Sequence, residues 1–493
     1  MSTSLPPPVN SMNKNSSCNT SSIASSNSTY FINLYKKSKI LTIIFTSFVL
    51  LILLNLINGN NGDGSHSYNS INNELLHKQF SPFREPSECD NPFSMLGKLQ
   101  VDLNVKEENV WVPFNKKCQP PRLMASLSNE LGVQSPTNWS PLTSSTTLNK
   151  NFEDISFTFN KTVLVVGDSI ARESVKYFCQ LLNQDVVNLN DDHPWSPFRN
   201  NENENEYIHR KRAPRESSLP NICYIPQIDL MIIQMFHFGL DEEEFFKEKE
   251  QYNPPGKFIL IALEDYFLFN LTYSGSIEDR FKVHGRDLYN LIHNDQNPPV
   301  AFEGSTPRSK SYPDLIEMSS ALWDLARFAK IDINNNQSTL TDLSDDRLDF
   351  YTNRINNVLH LAHHEFPSSQ LVWRTSHYPS DCNSQTPDNV IRNWARFESY
   401  NEHTHTPFFH SNRLFQLDQA ARYVASQPPN NDLVRINEWG HLMFGQHAHQ
   451  FDQLHPTMLP GGWLWGDTML YELRKAVEKQ NNFISSYVNE YQD

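Results

Sequence analysis

The sequence has no excess of basic residues. Its 41 Lys and Arg side chains stand against 56 Asp and Glu, so the 493-residue chain carries a net charge of −15. This composition argues against a protein that follows the phosphate backbone of nucleic acid, which needs a basic face. Repeats of about 20 to 50 residues are also lacking, which argues against solenoids and propellers. With 38% hydrophobic and 12% aromatic residues, the chain can still build a sizeable core.

The N-terminal region has no acidic residue within positions 1–39, where four lysines lie, and an uncharged apolar run, 40–57, follows. As an α-helix this run extends about 27 Å, enough to cross the hydrocarbon core of a bilayer. Lysines crowd only its N-terminal side, which places the N-terminus in the cytosol. A cleaved signal peptide is the alternative, but the preceding region and the apolar run are long and no A-x-A site follows. We expect a single-pass type II membrane protein.

Composition divides the chain into four segments. A Ser/Asn/Pro-rich cytosolic tail, 1–39, is expected to be disordered, and 40–57 is the signal anchor. A polar, Gly/Asn-rich stem, 58–81, leads to the lumenal body, 82–487. Two polar insertions interrupt that body, 201–216 and 241–256. The first carries a dibasic stretch, which indicates an exposed loop or, alternatively, a site for a processing protease.

Cysteines and sequons agree with a secretory-pathway location. All cysteines except Cys18 follow the anchor, and their odd number leaves at least one without a partner in the chain. The pairs Cys89–Cys118 and Cys179–Cys223 are expected because each flanks one segment, although other pairings stay open. Sequons beyond the anchor can be glycosylated, but a chain so rich in Asn and Ser also forms them by chance. They begin at Asn138, Asn160, Asn270 and Asn336.

Apolar runs that alternate with helical patterns predict the fold class. Short runs without polar interruption are typical of parallel strands covered on both faces. They are expected at 162–169, 228–238, 314–320, 370–375 and 433–439, and the last helix is expected to begin at Trp463. The sequence therefore predicts an α/β protein with a doubly wound parallel sheet and large loop insertions.

Gly167, Asp168 and Ser169 follow the first of these strands, where ligands bind in open parallel sheets. Gly167 permits a tight turn from strand to helix, which leaves Ser169 exposed at the N-terminus of the next helix. There the helix dipole and the backbone N–H groups favour an oxyanion. A serine at a helix start is also an ordinary N-cap, so the tripeptide alone is a weak signal of catalysis.

A second pattern, Asp452-Gln453-Leu454-His455-Pro456, precedes the last helix. Its spacing on a tight turn lets the Asp452 carboxylate accept from Nδ1–H of His455, so that Nε2 can take a proton from a serine. Alone, D-x-x-H is common in exposed turns. A serine hydroxyl needs a base before it becomes a nucleophile, and the two patterns together supply one. They predict a Ser169–His455–Asp452 triad.

This arrangement of GDS and D-x-x-H resembles the SGNH/GDSL hydrolase superfamily. GDSIARE is similar to the G-D-S-x-x-R block of the PC-esterase group, which includes the trichome-birefringence-like polysaccharide O-acetyltransferases. The segment 86–155, with Cys89, Trp111 and Cys118, resembles the Cys- and Trp-containing segment before GDS in that group. Blocks such as CQPPRL, ALWDLARF, VWRTSHYP and LPGGWLWGD resemble fungal-type members. The resemblance covers roughly residues 86–480.

The resemblance implies a three-layer SGNH-like fold, a Golgi location and Ser169 as the nucleophile of an acyl-serine intermediate. It also implies a set of oxyanion and substrate-binding residues, which joins the Ser169 backbone N–H. That set is Gly167, Asp168, Gly239 and Arg172. Arg374, which follows another predicted strand, is a further candidate for substrate binding. The superfamily's G-x-N-D-like block has no clean counterpart, because the third strand ends in SSALWD without Asn. For the two arginines, a structural ion pair and a core or capping position are the alternatives.

Histidine clusters raise the alternative of a metal site. They are His447, His449 and His455 with Asp452, and His360, His363 and His364 on one helical pattern. No H-E-x-x-H or C-x-x-C motif accompanies them, and a chain with 18 histidines forms clusters by chance. We therefore expect no metal.

Three functions follow from these observations. The first is O-acetyl or other O-acyl transfer to or from a cell-surface or secreted glycan, with a donor such as acetyl-CoA or an acylated carrier. The second is hydrolysis of the same esters, and the third is non-catalytic glycan binding on the same fold. The expected partners are a glycan and, through the chain's own helix, the membrane. The sugar, the linkage and the oligomeric state stay open.

Overall fold

The fold is built on one large sheet, seen in a computed structural model that describes residues 89, 91–133, 154–190, 193–196, 219–240, 277–295, 299, 302, 312–379, 409–451 and 454–490. These residues belong to one compact unit, Cys89–Asp493. The predicted tail, anchor and stem lie outside the described residues, as do the dibasic loop and the insertion 241–256. Within the part that is described, no helix is both long enough and apolar enough to cross a bilayer.

The strands form a two-stranded and a seven-stranded sheet. Their bounds are β1 (Gly97–Gln100), β2 (Val110–Pro113), β3 (Lys161–Gly167), β4 (Val186–Asn188), β5 (Asn221–Ile225), β6 (Leu230–Phe236), β7 (Leu315–Met318), β8 (Gln370–Arg374) and β9 (Val434–Asn437). β1 and β2 pair in antiparallel fashion, and the large sheet has the order β4-β5-β6-β3-β7-β8-β9.

The helices alternate with these strands. They are α1 (Leu123–Val133), α2 (Ser169–Leu181), α3 (Ile277–Arg280), α4 (Leu288–Asn294), α5 (Leu322–Asn334), α6 (Asp345–Glu365), α7 (Ser411–Ser426), α8 (Asn430–Leu433), α9 (Trp439–Leu442) and α10 (Trp463–Glu490). π-Helical stretches join α3 to α4 (Phe281–Asp287) and lead into α10 (Met458–Gly462).

A core of buried apolar strands organises the sheet. β6 is buried at every position, and β3 is buried at every position after Lys161. Strands covered on both faces need helices on both sides. One group of helices, α1, α2 and α10, packs together with the sheet, and another, α6 and α7 with the stretch around α3, contacts β6, β8 and β9. The result is an α/β protein whose mostly parallel sheet is flanked by helices, which is compatible with a three-layer fold.

The predicted all-parallel sheet is correct for β6, β3, β7, β8 and β9 and wrong at one edge. β5 runs antiparallel to β6 and to β4. Only the residues 226–229 separate β5 from β6, and so short a connection can join only antiparallel strands. The edge is also covalently tied, because Cys179 of α2 is disulfide-bonded to Cys223 of β5.

Both expected disulfides are present. The Cα atoms lie 5.4 Å apart in Cys89–Cys118 and 5.7 Å apart in Cys179–Cys223. The first closes the segment that contains the β1–β2 hairpin, and the second fastens α2 to the antiparallel edge. Cys382 lies outside the described residues. Of the sequons, Asn160 and Asn336 are exposed at turns, as glycosylation would require.

Candidate functional site

The candidate site lies at the carboxyl edge of the parallel strands. β3 ends at Gly167, and in register with it β6 ends at Phe236. Gly167 is packed tightly: a Cβ atom there would lie 2.5 Å from Ala171 Cβ and 2.8 Å from Ser319 Oγ. Because Gly167 has no side chain, α2 and the end of β7 can pack closely against the turn from β3 into α2. This is the tight turn that the sequence predicts.

Asp168, rather than Ser169, caps helix α2. Its Oδ1 accepts a hydrogen bond from the Ile170 N–H at 2.9 Å, and its side chain is buried. Ser169 is therefore the first residue of the helix and is half-buried. Within the first turn, the N–H groups of Ser169 and Ala171 have no acceptor inside the helix. The aspartate serves as the cap, which leaves the serine hydroxyl available for another partner.

That partner is His455. Its Nε2 lies 2.8 Å from Ser169 Oγ, although the two residues are 286 positions apart in the chain. In the tautomer that carries its proton on Nδ1, Nε2 accepts the hydroxyl hydrogen, which is the arrangement a general base requires. Asp452, predicted to hold Nδ1–H, lies outside the described residues, and its role stays a prediction.

A short loop holds His455 in place. Gln450 and Pro456 form a bridge across it, and the Phe451 N–H donates to the His455 carbonyl at 3.0 Å. The Phe451 ring stacks on the imidazole with a 5.4 Å centroid separation and a 17° interplanar angle. His377, which is 1% exposed, places Nε2 2.5 Å from the carbonyl oxygen of Leu454, directly before His455.

The same loop comes close to α2 through Gly462. A Cβ at this position would lie 2.6 Å from Tyr177 Cβ, so only glycine permits the contact. The indole N–H of Trp439, which follows β9, donates to the neighbouring Gly461 carbonyl at 2.9 Å. The LPGGW block thus brings the loop of His455 against the helix that begins with Ser169.

Gly239 follows β6, as the resemblance requires of an oxyanion donor, but its N–H is already engaged. His237 Nε2 lies 2.8 Å from the Ser319 carbonyl, which can only accept, so Nε2 carries the proton. Nδ1 then accepts from the Gly239 N–H at 3.1 Å. Asp324 fixes the next residue, accepting from the Leu240 N–H at 2.9 Å, and burial raises the pKa of this carboxyl. These contacts fix the conformation of the turn after β6, and they engage the Gly239 N–H that was expected to donate to an oxyanion.

Arg172 belongs to the first turn of α2, near the carboxyl end of β6. Its guanidinium is 3.3 Å from Glu173 and stands over the Phe236 ring, 5.7 Å from the centroid. The side chain is about one-fifth exposed, at 20%. The structural ion pair considered for Arg172 is therefore present, together with a cation–π contact.

Arg374 differs from the prediction of a substrate-binding residue, because its side chain is only 2% exposed. Nη2 donates to Ser319 Oγ at 2.8 Å, and Nε lies 3.5 Å from Glu317 Oε1. Glu317 also accepts from Asn437 and Trp465, each at 2.8 Å. Burial lowers the pKa of Arg374. The ion pair of Arg374 and Glu317 is buried beneath the turn that carries Ser169. Through the contacts of Glu317 with Asn437 and Trp465, it connects β7 and β8 with β9 and α10.

The histidine clusters do not converge as metal ligands within the described part of the chain. No group of three or more His, Cys, Asp or Glu side chains there is placed to hold an ion. His447 and His449 belong to a short 3₁₀ turn, and burial lowers the pKa of His449. His360 and His364 are exposed on α6.

His377 is the residue at this site that the sequence patterns did not single out. It lies in the WRTSHYP block, where Arg374 drew attention as a cation after a strand. A histidine three residues beyond that arginine, at the carboxyl end of a parallel strand, was the available signal. No family model and no curated protein matches this sequence.

Proposed function

We propose that this protein is a serine acyl-ester enzyme in which Ser169 is the nucleophile and His455 the general base. The observation that carries the proposal is the 2.8 Å contact between Ser169 Oγ and His455 Nε2. It brings together a hydroxyl and an imidazole from opposite ends of the body, at the N-terminus of a helix and the carboxyl edge of the sheet. Both features are typical of activated serines.

The geometry supports a two-stage reaction. His455 Nε2 takes the hydroxyl proton while Ser169 Oγ attacks the carbonyl carbon of the ester, and the carbonyl oxygen becomes an oxyanion. The first-turn N–H groups of Ser169 and Ala171, together with the dipole of α2, favour that charge. Collapse breaks the ester C–O bond, the imidazolium returns its proton to the leaving alcohol, and an acyl-serine remains.

The second stage decides between transfer and hydrolysis. A sugar hydroxyl that attacks the acyl-serine gives O-acyl transfer, and water gives hydrolysis. In both, His455 takes the proton of the attacking hydroxyl, the bond between the acyl carbon and Ser169 Oγ breaks, and the imidazolium returns the proton to Oγ. The resemblance to the PC-esterase group and the expected type II topology favour a glycan as the acceptor or acyl source, in the Golgi or secretory pathway. Acetyl-CoA or an acylated carrier is then the donor for transfer; with acetyl-CoA the thioester C–S bond breaks in place of the ester C–O bond, and the thiol leaves.

A non-catalytic glycan-binding protein is the second candidate. It is favoured by one observation, the engagement of the Gly239 N–H by His237, which removes an expected oxyanion donor. The two candidates differ in whether Ser169 reacts.

Reaction of the purified full-length chain with a fluorophosphonate, followed by intact mass, tests the proposal. We expect a single adduct that Ser169→Ala abolishes while the thermal unfolding temperature stays within a few degrees. Ser411→Ala is the matched control, because Ser411 is also the first residue of a capped helix, α7. An adduct that persists in Ser169→Ala, or none on folded wild-type protein, contradicts the proposal and favours the binding protein.

A further inference from the structure

A groove lies on the described surface beside the strand β9. It has a volume of about 580 Å³ and runs between strand β1 and the helices α7 and α9. We call it the hairpin groove. Six of its lining residues carry the argument: Trp111, Gln419, Arg422, Glu438, Phe444 and Gln446.

The chemistry of the hairpin groove suits a neutral ligand with apolar faces and hydroxyl groups. Trp111 and Phe444 offer ring surfaces, and Phe444 is 64% exposed although it is large and apolar. Gln419 and Gln446 offer amides that both donate and accept hydrogen bonds. Sugar rings have C–H faces that pack on aromatic rings and hydroxyls that pair with amides.

Two Lys or Arg side chains line the hairpin groove, Lys98 on β1 and Arg422 on α7, and Arg422 is already neutralised. Arg422 donates to both carboxylate oxygens of Glu438, at 2.7 and 2.5 Å, and its Nε donates to Asp418 at 2.8 Å. These carboxylates raise the pKa of Arg422 further. A phosphate or carboxylate ligand would have to compete with two carboxylates for this guanidinium, so Arg422 favours an uncharged ligand. Lys98 is exposed on β1, at the rim of the groove.

The hairpin groove lies near the carboxyl ends of β8 and β9, and Ser169 follows the carboxyl end of β3. Glu438 directly follows β9, which is three strand spacings, or about 14 Å, from β3. Contacts connect the groove to the catalytic loop: the Phe444 ring packs on Tyr378 at 5.2 Å, and the Tyr378 carbonyl accepts from the Gln450 side chain at 2.8 Å. Gln450 bridges to Pro456, next to His455. A ligand several sugar units long can span this distance.

We propose that the hairpin groove binds the part of a neutral polyhydroxy chain, an oligosaccharide, that extends beyond the unit reacting at Ser169. The inference rests on the proposed function, since it names the site that selects the glycan for that reaction. It assigns the length preference of the enzyme to Phe444, Gln419 and Gln446, none of which is needed for the acyl transfer step itself.

The experiment compares a small ester with extended substrates on the full-length protein. An aryl acetate reports the chemistry at Ser169 alone, whereas chemically O-acetylated cello- and manno-oligosaccharides, from dimers to hexamers, report the groove. We expect Phe444→Ala and Gln419→Ala to lower kcat/KM for the hexamers by about tenfold, and we expect Gln419→Ala to leave aryl acetate turnover unchanged. Phe415→Ala is the matched control, because Phe415 is 48% exposed on α7 and does not line the groove.

The outcomes separate the two proposals. Losses confined to the longer oligosaccharides support the groove. Equal losses with aryl acetate or in Phe415→Ala, no dependence on chain length, or no oligosaccharide turned over, overturn it. If wild-type protein turns over no ester at all, the proposed function fails; calorimetric binding of unmodified hexamers, weakened in Phe444→Ala, then still supports the groove, and absence of binding overturns it.

Discussion

At Asp168 and Ser169, two adjacent polar side chains have different tasks. A serine at a helix start commonly uses its hydroxyl to cap the helix, and here Asp168 does so instead. Because the Ile170 N–H is satisfied by the carboxylate, the Ser169 hydroxyl can lie against His455 at 2.8 Å. In the GDS tripeptide, Asp168 thus stabilises the start of the helix, and the hydroxyl of Ser169 remains available for the contact with His455.

We expect His377 to be a positioning residue for the proposed chemistry. Its imidazole donates to the carbonyl of Leu454 and so fixes the peptide that leads into His455. We expect His377→Ala to lower kcat on an aryl acetate by about tenfold to a hundredfold with little change in KM, since small misplacements of a catalytic group slow the reaction strongly. Steady-state kinetics of His377→Ala and of the wild type with the aryl acetate would measure this change in kcat.

His377→Gln separates positioning from packing. Glutamine keeps an N–H donor and should restore a large part of kcat, whereas His377→Leu, which keeps the volume and lacks the donor, should not. Equal kcat in the Gln and Leu variants would show that His377 only fills space.

The residues at this site differ in how well the sequence predicts them. Ser169 and His455 stand out because each belongs to a short pattern tied to the start or end of an element. Arg374 resembles a substrate ligand in sequence, yet its guanidinium is buried beside Glu317 of the neighbouring strand. Only the pairing of β7 with β8 brings those charges together, and a short stretch of sequence around Arg374 does not show which strand will lie beside it.

At the scale of elements, α10 organises one side of the sheet. Trp465 donates to Glu317 inside the sheet, and Asp467 accepts from the Met124 N–H at 2.7 Å, at the start of α1. Burial raises the pKa of Asp467 to about 7. A single turn of α10 therefore connects the central strands to the segment that precedes β3.

Asp467 should make stability depend on pH. Its pKa is raised in the folded protein, so between about pH 4 and 7 the folded state holds a proton that the unfolded state has lost, and stability falls as pH rises through this window. In the wild type, the free energy of unfolding should fall by up to about 4 kcal/mol across this window because of Asp467. Asp467→Asn should lack this fall. Urea unfolding across that range measures it.

Glu478→Gln serves as the control, because Glu478 is a half-exposed carboxylate on the same helix. Its profile should follow that of the wild type. An Asp467→Asn profile parallel to the wild type would show that another group causes the pH dependence.

The strands of the parallel part of the sheet were predictable, including the short β7 and β9, whereas β1, β2, β4 and β5 were not. β3, β6 and β8 are mainly apolar and fully or almost fully buried because helices cover both of their faces. β4 has only the residues Val186–Asn188, and β5 is held by its tight turn and by the disulfide to α2. Such strands depend on their neighbours more than on their own composition.

At the scale of the whole molecule, the Cys179–Cys223 disulfide fastens the antiparallel edge to the helix of Ser169. It joins residues 44 positions apart, and both cysteines are fully buried. Removing it with Cys179→Ala/Cys223→Ala should lower the free energy of unfolding by about 4 kcal/mol, mainly because the unfolded chain gains conformational entropy without the cross-link. Chemical denaturation would measure the loss.

The Cys89→Ala/Cys118→Ala pair is the comparison, since it opens a shorter loop, of 29 positions, and Cys89 is exposed. We expect a smaller loss there. An equal or larger one would mean that the segment around the β1–β2 hairpin contributes more to stability than the edge of the sheet.

The 286-residue separation of Ser169 and His455 has a consequence for biosynthesis. Ribosomes add about 5 to 20 residues per second, so the serine is made roughly 15 to 60 s before the histidine. Throughout that interval the nascent chain holds a hydroxyl without its base. If Ser169 and His455 act as proposed, the protein becomes reactive only when nearly all of it has been made, and an assay of that activity would report on chains that include His455 rather than on shorter fragments.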